Sequence, residues 1–214
     1  MKLYSYFRSS ASYRVRIALA LKGLPYEYAA VHLVKGGGQQ LSSVYRSVNP
    51  DSLVPTLEDG PHVLTQSLAI VEYLNELHPE PPLLPSDAVD RAYVRSVALQ
   101  VACEIHPVNN LRVLQYLKNS LGVTEEQKTE WYRHWVDVGF GALESRLEDE
   151  RRVGEFVCGG TPTLADICLV PQVWNARRFN IPLDDYPTVV CLADNAMKLE
   201  AFKMAQPANQ PDAE

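Results

Sequence analysis

Ser9, Ser10 and Ser12 stand where a strand-like segment, Lys2-Leu3-Tyr4-Ser5-Tyr6-Phe7, gives way to a helical one, Val15-Arg16-Ile17-Ala18-Leu19-Ala20-Leu21. In a disulfide oxidoreductase such a turn carries Cys-x-x-Cys, because a helix N-terminus stabilises a thiolate. Here the matching positions are Ser9-x-x-Ser12, and the first cysteine of the chain is Cys103. Hydroxyls and backbone N–H groups solvate an anion but cannot perform thiol redox chemistry. A thiolate handled at this turn must therefore come from a ligand. The alternative is that one of the serines simply caps the helix.

Two more places could hold a ligand. Pro55 follows Val54 between a loop and a strand. Trans is the ordinary isomer there; a cis bond would turn the Val54 backbone outward, leaving its N–H and C=O to pair with a peptide-like ligand as an added strand. Gln66-Ser67 opens a helix whose free N–H groups suit a carboxylate, with Ser67 as a plain N-cap the alternative. Two anion-accepting helix starts and a strand edge within one small sheet fit a ligand with a thiolate at one end, a peptide in the middle and a carboxylate at the other. Glutathione has that form.

The elements that must position these groups alternate over the first eighty residues. Strand 2–7 and helix 12–22 are followed by the breaker Gly23-Leu24-Pro25 and a second strand over Tyr26–Leu33. Gly36-Gly37-Gly38 opens a flexible loop and a short helix leading to Asn49-Pro50. Val54–Glu58 and His62–Thr65 flank the turn Asp59-Gly60-Pro61. Leu68, Val71, Leu74 and Leu77 mark one face of the next helix. Pro79–Asp87 reads as a stiff linker. Beyond it the pattern is helical: Arg91–Leu121 as one segment kinked by Pro107, Thr124–Glu150, a helix opened by the capping box Thr163-Leu164-Ala165-Asp166, and a last helix from Tyr186-Pro187 to near Phe202. The polar tail Gln206–Glu214 is expected to fray.

The charge is uneven. Residues 1–80 carry seven Lys/Arg and seven Asp/Glu, so the formal −6 of the 214-residue chain lies wholly in residues 81–214. An acidic second half argues against nucleic acid, and no basic run suggests an anionic membrane. An anionic substrate would need local cations. Cys103, Cys158, Cys168 and Cys191 lack metal-ligand spacing, the five histidines complete no set, and no metal is expected. The N-terminus reads as a strand rather than a leader, and no apolar run reaches membrane-span length. A cytoplasmic setting with reduced cysteines is expected.

The chain resembles a zeta-class glutathione transferase, the maleylacetoacetate and maleylpyruvate isomerase group, over nearly its whole length. Tyr6-Phe7-Arg8-Ser9-Ser10-x-Ser12-x-Arg14-Val15-Arg16-Ile17-Ala18-Leu19 is similar to that class's signature Ser-Ser-Cys-x-x-Arg-Val-Arg-Ile-Ala. Asn49-Pro50, Val54-Pro55-Thr56-Leu57 and Gln66-Ser67-Leu68-Ala69-Ile70 resemble the superfamily's glutathione-site framework. Ile105-His106-Pro107-x-Asn109-Asn110, Thr163–Asp166, Leu169-Val170-Pro171-Gln172 and Gln210-Pro211-Asp212 resemble the class further on.

The resemblance implies an α/β plus all-α fold: a thioredoxin-like glutathione-binding domain over 1–80, an all-helical substrate-binding domain over 88–214, and a homodimer. It implies glutathione as cofactor, with the thiolate near Ser9, Ser10 and Ala11 and the peptide held by Gln40 and Val54. The γ-glutamyl end falls to Gln66 and Ser67, and contacts from the second domain to His106, Asn110, Leu111 and Arg112. Ala11 departs from the class, whose signature has cysteine there, so no protein thiol serves the reaction at that position.

The implied reaction is glutathione-dependent isomerisation of maleylacetoacetate in the catabolism of tyrosine, phenylalanine and other aromatic compounds, with maleylpyruvate as the alternative substrate. Thiolate addition turns the cis double bond into a single bond with charge on an enolate; rotation and loss of the thiolate give the trans isomer. The site must stabilise a thiolate, hold two carboxylates and spread the enolate charge. Ser10 suits the first task, with Ser9 competing. Arg8, Arg112 and Arg178 suit the dicarboxylate, since guanidinium pairs with carboxylate in a bidentate way; Arg177 competes with Arg178. Conjugation of small electrophiles such as haloacids would favour an apolar second site over three arginines. A non-catalytic binding module would be marked by loss of the serines or of Gln66-Ser67, and neither is lost.

Overall fold

Alternating burial makes Lys2–Ser5 a strand, β1, with Leu3 and Ser5 fully buried and Lys2 and Tyr4 half-buried on the other face, where Tyr4 packs against Tyr45. The computed structural model describes residues 1–214. They divide into two units, Met1–Leu83 with Lys198–Glu214, and Leu84–Met197.

The first unit holds a four-stranded sheet in the order β2-β1-β3-β4. β2 (Glu27–Ala30) is parallel to β1, while β3 (Thr56–Asp59) and β4 (His62–Thr65) run antiparallel to their neighbours. Helices α1 (Ser10–Leu21), α2 (Ser43–Val48) and α3 (Ser67–Leu77) belong to the same unit, and α1 packs against α3. Leu3, Val15, Ile17, Leu19, Leu57, Ile70 and Leu74 form its core, all withdrawn from solvent. This is the expected thioredoxin-like arrangement.

Several boundaries differ from the sequence expectation. β1 ends at Ser5 rather than Phe7, because Tyr6 turns back and its carbonyl accepts the Ser9 N–H at 2.9 Å. The second strand keeps only four of the eight expected residues. The tail does not fray. Gln210 is buried, its amide donating to the carbonyls of Met204 and Gln206, and Lys198–Glu214 belongs to the first unit rather than the helical one. The reason is a buried cation: Arg16 on α1 donates to the Ala205 carbonyl at 3.0 Å and so draws α9 (Glu200–Met204) and the C-terminal tail onto α1.

The second unit is helical: α4 (Ala88–Leu99), α5 (Leu111–Asn119), α6 (Glu125–Glu148), α7 (Leu164–Arg178) and α8 (Pro187–Ala196). The segment expected as one kinked helix over 91–121 is two. α4 runs into a π-helical stretch, Gln100–Ile105, and the chain breaks at His106–Asn110 before α5. Gly139 on α6 allows this packing: a Cβ there would lie 2.3 Å from Ile105 Cγ1. The expected last helix is likewise interrupted, between α8 and α9, after Ala196. Capping boxes open α6 (Thr124 with Gln127) and α7 (Thr163 with Asp166). The Asp166 carboxylate accepts from the N–H of Val157 and of Thr163 and from the Thr163 hydroxyl. Burial nevertheless raises its pKa to about 6.

Candidate functional site

The strand register gathers the candidate loops. Ser5 pairs with Ala30, Tyr4 with Thr56, and Thr56 with Thr65. The end of β1, the end of β2, the start of β3 and the end of β4 therefore lie at one end of the sheet. From that end emerge the Ser9–Ser10 turn, the loop carrying Gln40, the Val54–Pro55 segment and the Gln66–Ser67 helix start. Residues far apart in sequence converge because β3 runs antiparallel to β1.

Ser9 is the N-cap of α1: its backbone is extended and its Oγ accepts from the Ser12 N–H at 3.2 Å. The capping alternative is realised at Ser9, and its O–H proton remains able to donate. Ser10 and Ala11 are the first two helical residues, placing Ser10, 4% exposed, in the first turn of α1. Arg8 is exposed in the preceding turn, its guanidinium 4.7 Å from the centre of the Phe7 ring, and no carboxylate pairs with it.

The Val54–Pro55 bond is cis. Val54 precedes the ladder, which begins at Thr56, so sheet pairing uses neither its N–H nor its C=O. Gln40 is buried; its amide nitrogen donates to the Leu33 carbonyl at 3.3 Å, and its Oε1 has no hydrogen-bond partner. A buried acceptor without a donor suits a ligand N–H.

Gln66, not Ser67, holds the N-cap position of α3. Its φ of 67° is in the left-handed region, which costs a non-glycine residue on the order of 1 kcal/mol, and its side chain makes no capping bond. Ser67 is the first helical residue and its Oγ accepts from Arg14 Nη1 at 3.3 Å. Both departures free the α3 N-terminus for an external anion. These groups suit glutathione: hydroxyl and amides for the thiolate, an unused backbone edge and a lone acceptor for the peptide, and a cation-backed helix start for the carboxylate.

Sequence reasoning missed the two buried arginines behind the site. Arg14 and Arg16 are 2% and 1% exposed. Arg16 donates to Ser5 Oγ at 3.1 Å, to the Tyr6 carbonyl at 3.4 Å and to the Phe7 carbonyl at 3.0 Å. Burial pulls its pKa down, opposed by Tyr28, Tyr26, Tyr13 and Asp212. Their signal was available: charged residues at positions 14 and 16 of a helix otherwise apolar through Leu21 must find partners inside the protein.

Within the second unit, Asn110 caps α5 by accepting from the Arg112 N–H at 3.1 Å, and its amide nitrogen lies 3.4 Å from His106 Nε2. Leu111 and Arg112 are the first two residues of α5. Arg112 is exposed, and no carboxylate pairs with it. Arg177 is committed to Asp194 by two bonds of 2.8 and 3.0 Å, whereas Arg178 lies over Trp174 and Phe179, 5.6 and 4.6 Å from their ring centres. None of the four cysteines forms a disulfide, and all lie in this unit.

Residues 3–82 match the family of glutathione S-transferase N-terminal domains and residues 130–189 that of glutathione S-transferase C-terminal domains. The chain is 51% identical over 211 residues to the probable maleylacetoacetate isomerase of Vibrio cholerae, covering 99% of this chain and 97% of that one. Its structure is similar to the holo structure of a maleylpyruvate isomerase described as a bacterial zeta-class glutathione S-transferase, with a TM-score of 0.97, 47% identity and full coverage of both chains. It is also similar to the maleylacetoacetate isomerase of Anaeromyxobacter dehalogenans with dicarboxyethyl glutathione and citrate bound in its active site. There the TM-score is 0.86 and the identity 42%, over 100% of this chain and 97% of that one.

Proposed function

The chain belongs to the zeta-class glutathione transferases, and from that membership we propose that it is a glutathione-dependent cis–trans isomerase of maleylacetoacetate. One observation carries the proposal. The sheet register brings a hydroxyl-bearing helix start, an unused strand edge and a second helix start to one end of a unit that contains no cysteine. Such a site can hold and ionise a thiol but has none to offer.

Bound glutathione supplies the thiolate that opens the double bond to rotation and then leaves. The chain's own residues have four tasks. Ser10 and the first amides of α1 hold the sulfur in its charged form, with Ser9 fixing the helix start. Val54 and Gln40 align the peptide, and Gln66 and Ser67 take the γ-glutamyl carboxylate, with Arg14 behind Ser67 adding positive charge. Arg8, Arg112 and Arg178 bind the substrate's carboxylates, and His106, Asn110 and Leu111 add ligand contacts. The pairing of Arg177 with Asp194 supports Arg178 as the substrate-facing member of the two. We also propose a cytoplasmic homodimer acting in aromatic-compound catabolism.

Maleylpyruvate is the second reading, since a maleylpyruvate isomerase 47% identical is also among the similar structures. The test is turnover of both maleyl substrates with and without glutathione, in the parent chain and in a variant with Cys103, Cys158, Cys168 and Cys191 all replaced by serine or alanine. Glutathione-dependent turnover of the longer substrate, retained without cysteines, is expected. Full turnover without glutathione would overturn the proposal.

A further inference from the structure

The last residues of the chain reach the turn that precedes Ser9 and Ser10. Asp212 Oδ2 accepts the Phe7 N–H at 3.1 Å, and its Oδ1 accepts the Tyr28 hydroxyl at 2.5 Å. Phe7 and Arg8 are the central residues of the turn closed by the Ser9 N–H on the Tyr6 carbonyl. Arg16 takes the remaining groups, donating to the carbonyls of Tyr6 and Phe7. Asp212 thus completes the bracing: the Tyr6 C=O, the Phe7 N–H and the Phe7 C=O are all held by side chains or by the turn itself. Two residues on, Glu214 pairs with His32 at 3.3 Å and with Lys35, in the loop leading to Gln40.

We propose that Asp212 is a positioning residue for the Phe7–Ser10 turn and, through it, for the thiol of bound glutathione. The inference rests on the proposed glutathione site. Asp212 touches neither ligand nor reacting atoms in this role. It holds the Phe7 amide, and so the direction in which the Ser10 hydroxyl and the first α1 amides point. A misaligned donor solvates a thiolate less well, because hydrogen bonds weaken steeply with angle.

Charge and geometry make opposite demands, which gives a clean test. The charged and titratable groups at the turn are Tyr6 and Arg8 within it, and Arg16, Tyr28, Asp212 and His32 facing it, the His32 ring lying 4.8 Å from that of Tyr6 and pairing with Glu214. Removing the Asp212 carboxylate deletes a negative charge, and by electrostatics alone the thiol pKa of bound glutathione must fall. Loss of positioning must raise it. The experiment follows thiolate absorbance of glutathione bound to the parent chain, to Asp212→Ala and to Tyr28→Phe as pH is varied, with thermal unfolding in parallel.

Asp212→Ala is expected to raise the thiol pKa by about one unit, a roughly tenfold loss of thiolate below it. Tyr28→Phe, which spares the Phe7 contact, is expected to lower the melting temperature without moving the pKa. A fall or no change in Asp212→Ala, or equal shifts in both variants, overturns the inference while leaving the glutathione site standing. A parent chain that shows no bound thiolate overturns both. Hydrogen exchange in the parent gives a reading that needs no variant: the Phe7 amide is expected to be strongly protected, and exchange at the rate of a free loop amide overturns the proposal.

Discussion

Arg14 Nη1 donates to Ser67 Oγ across 3.3 Å, joining the second turn of α1 to the first residue of α3. The two helix starts proposed to hold the ends of one ligand are therefore coupled by a buried cation. Ser67 cannot cap its own helix from that position, and Gln66 occupies the cap with a left-handed backbone and an uncommitted side chain.

The first prediction concerns that pair. Ser67→Ala removes the hydrogen bond that the Ser67 hydroxyl, held by Arg14, would donate to the ligand's carboxylate, a loss on the order of 1.5–3 kcal/mol, or roughly 10- to 150-fold. It is expected to weaken glutathione binding by an amount in this range and to leave the thiol pKa of the bound ligand unchanged. Calorimetric titration with glutathione checks it. An unchanged dissociation constant would remove Ser67 from the site.

The serines of the first turn separate into two roles. Ser9→Ala deletes a helix cap and is expected to cost about 1 kcal/mol of stability, read by urea unfolding. Ser10→Ala should instead raise the thiol pKa of bound glutathione, since it removes a hydrogen bond to the charged form. Its rate deficit is then greatest at low pH and shrinks as pH rises. The opposite assignment of the two outcomes would exchange the roles of Ser9 and Ser10.

The arginines are distinguished by the partners that already hold them. Arg8→Ala, Arg112→Ala and Arg178→Ala are each expected to lower kcat/KM for a maleyl substrate roughly 10- to 150-fold, with glutathione affinity much less affected. Arg177→Ala breaks only a half-exposed pair with Asp194 and should cost less than about 1 kcal/mol of stability and little activity. A neutral electrophile such as a chlorodinitrobenzene, assayed at two ionic strengths, provides the comparison. Equal loss of both activities in all three variants would mean that these arginines maintain the fold rather than bind substrate.

Asp166 gives a pH-dependent stability with a definite sign. Its pKa is raised by burial from the ordinary aspartate value to about 6, so the folded state holds the proton where the unfolded chain has released it. Its stabilisation is complete below the unfolded pKa and is lost as pH rises through about 6. Asp166→Asn does not titrate, but it cannot accept all three of the carboxylate's hydrogen bonds. The destabilisation it causes is expected to be larger near pH 4 than near pH 7, by about 2 kcal/mol. Urea unfolding of both proteins at the two pH values decides it, and a penalty that grows with pH would contradict the shift.

Local chemistry was enough for much of this molecule. The missing thiol, the hydroxyl cluster at a strand-to-helix transition, the Asp59-Gly60 turn and the Thr163–Asp166 capping box are each written in a few adjacent residues, and each is present as expected. The resemblance carried by Arg8–Leu19 and the Gln66–Ile70 segment identified the ligand because each of those segments keeps its own recognition groups adjacent. The features that tertiary structure alone decided depend on partners distant in sequence. Strand register, not any motif, brought residues 9, 40, 54 and 66 to one end of the sheet. The segment over 91–121 separated into two helices around a π-helical stretch where Ile105 packs against Gly139. The tail lost its freedom because Arg16 draws Ala205 onto α1 and Asp212 finds an amide at Phe7, 205 residues away. A polar segment reads as solvated until the structure supplies a buried group that needs it, and buried Arg14 and Arg16 gain their meaning only from the carbonyls and hydroxyls that other parts of the chain bring within reach.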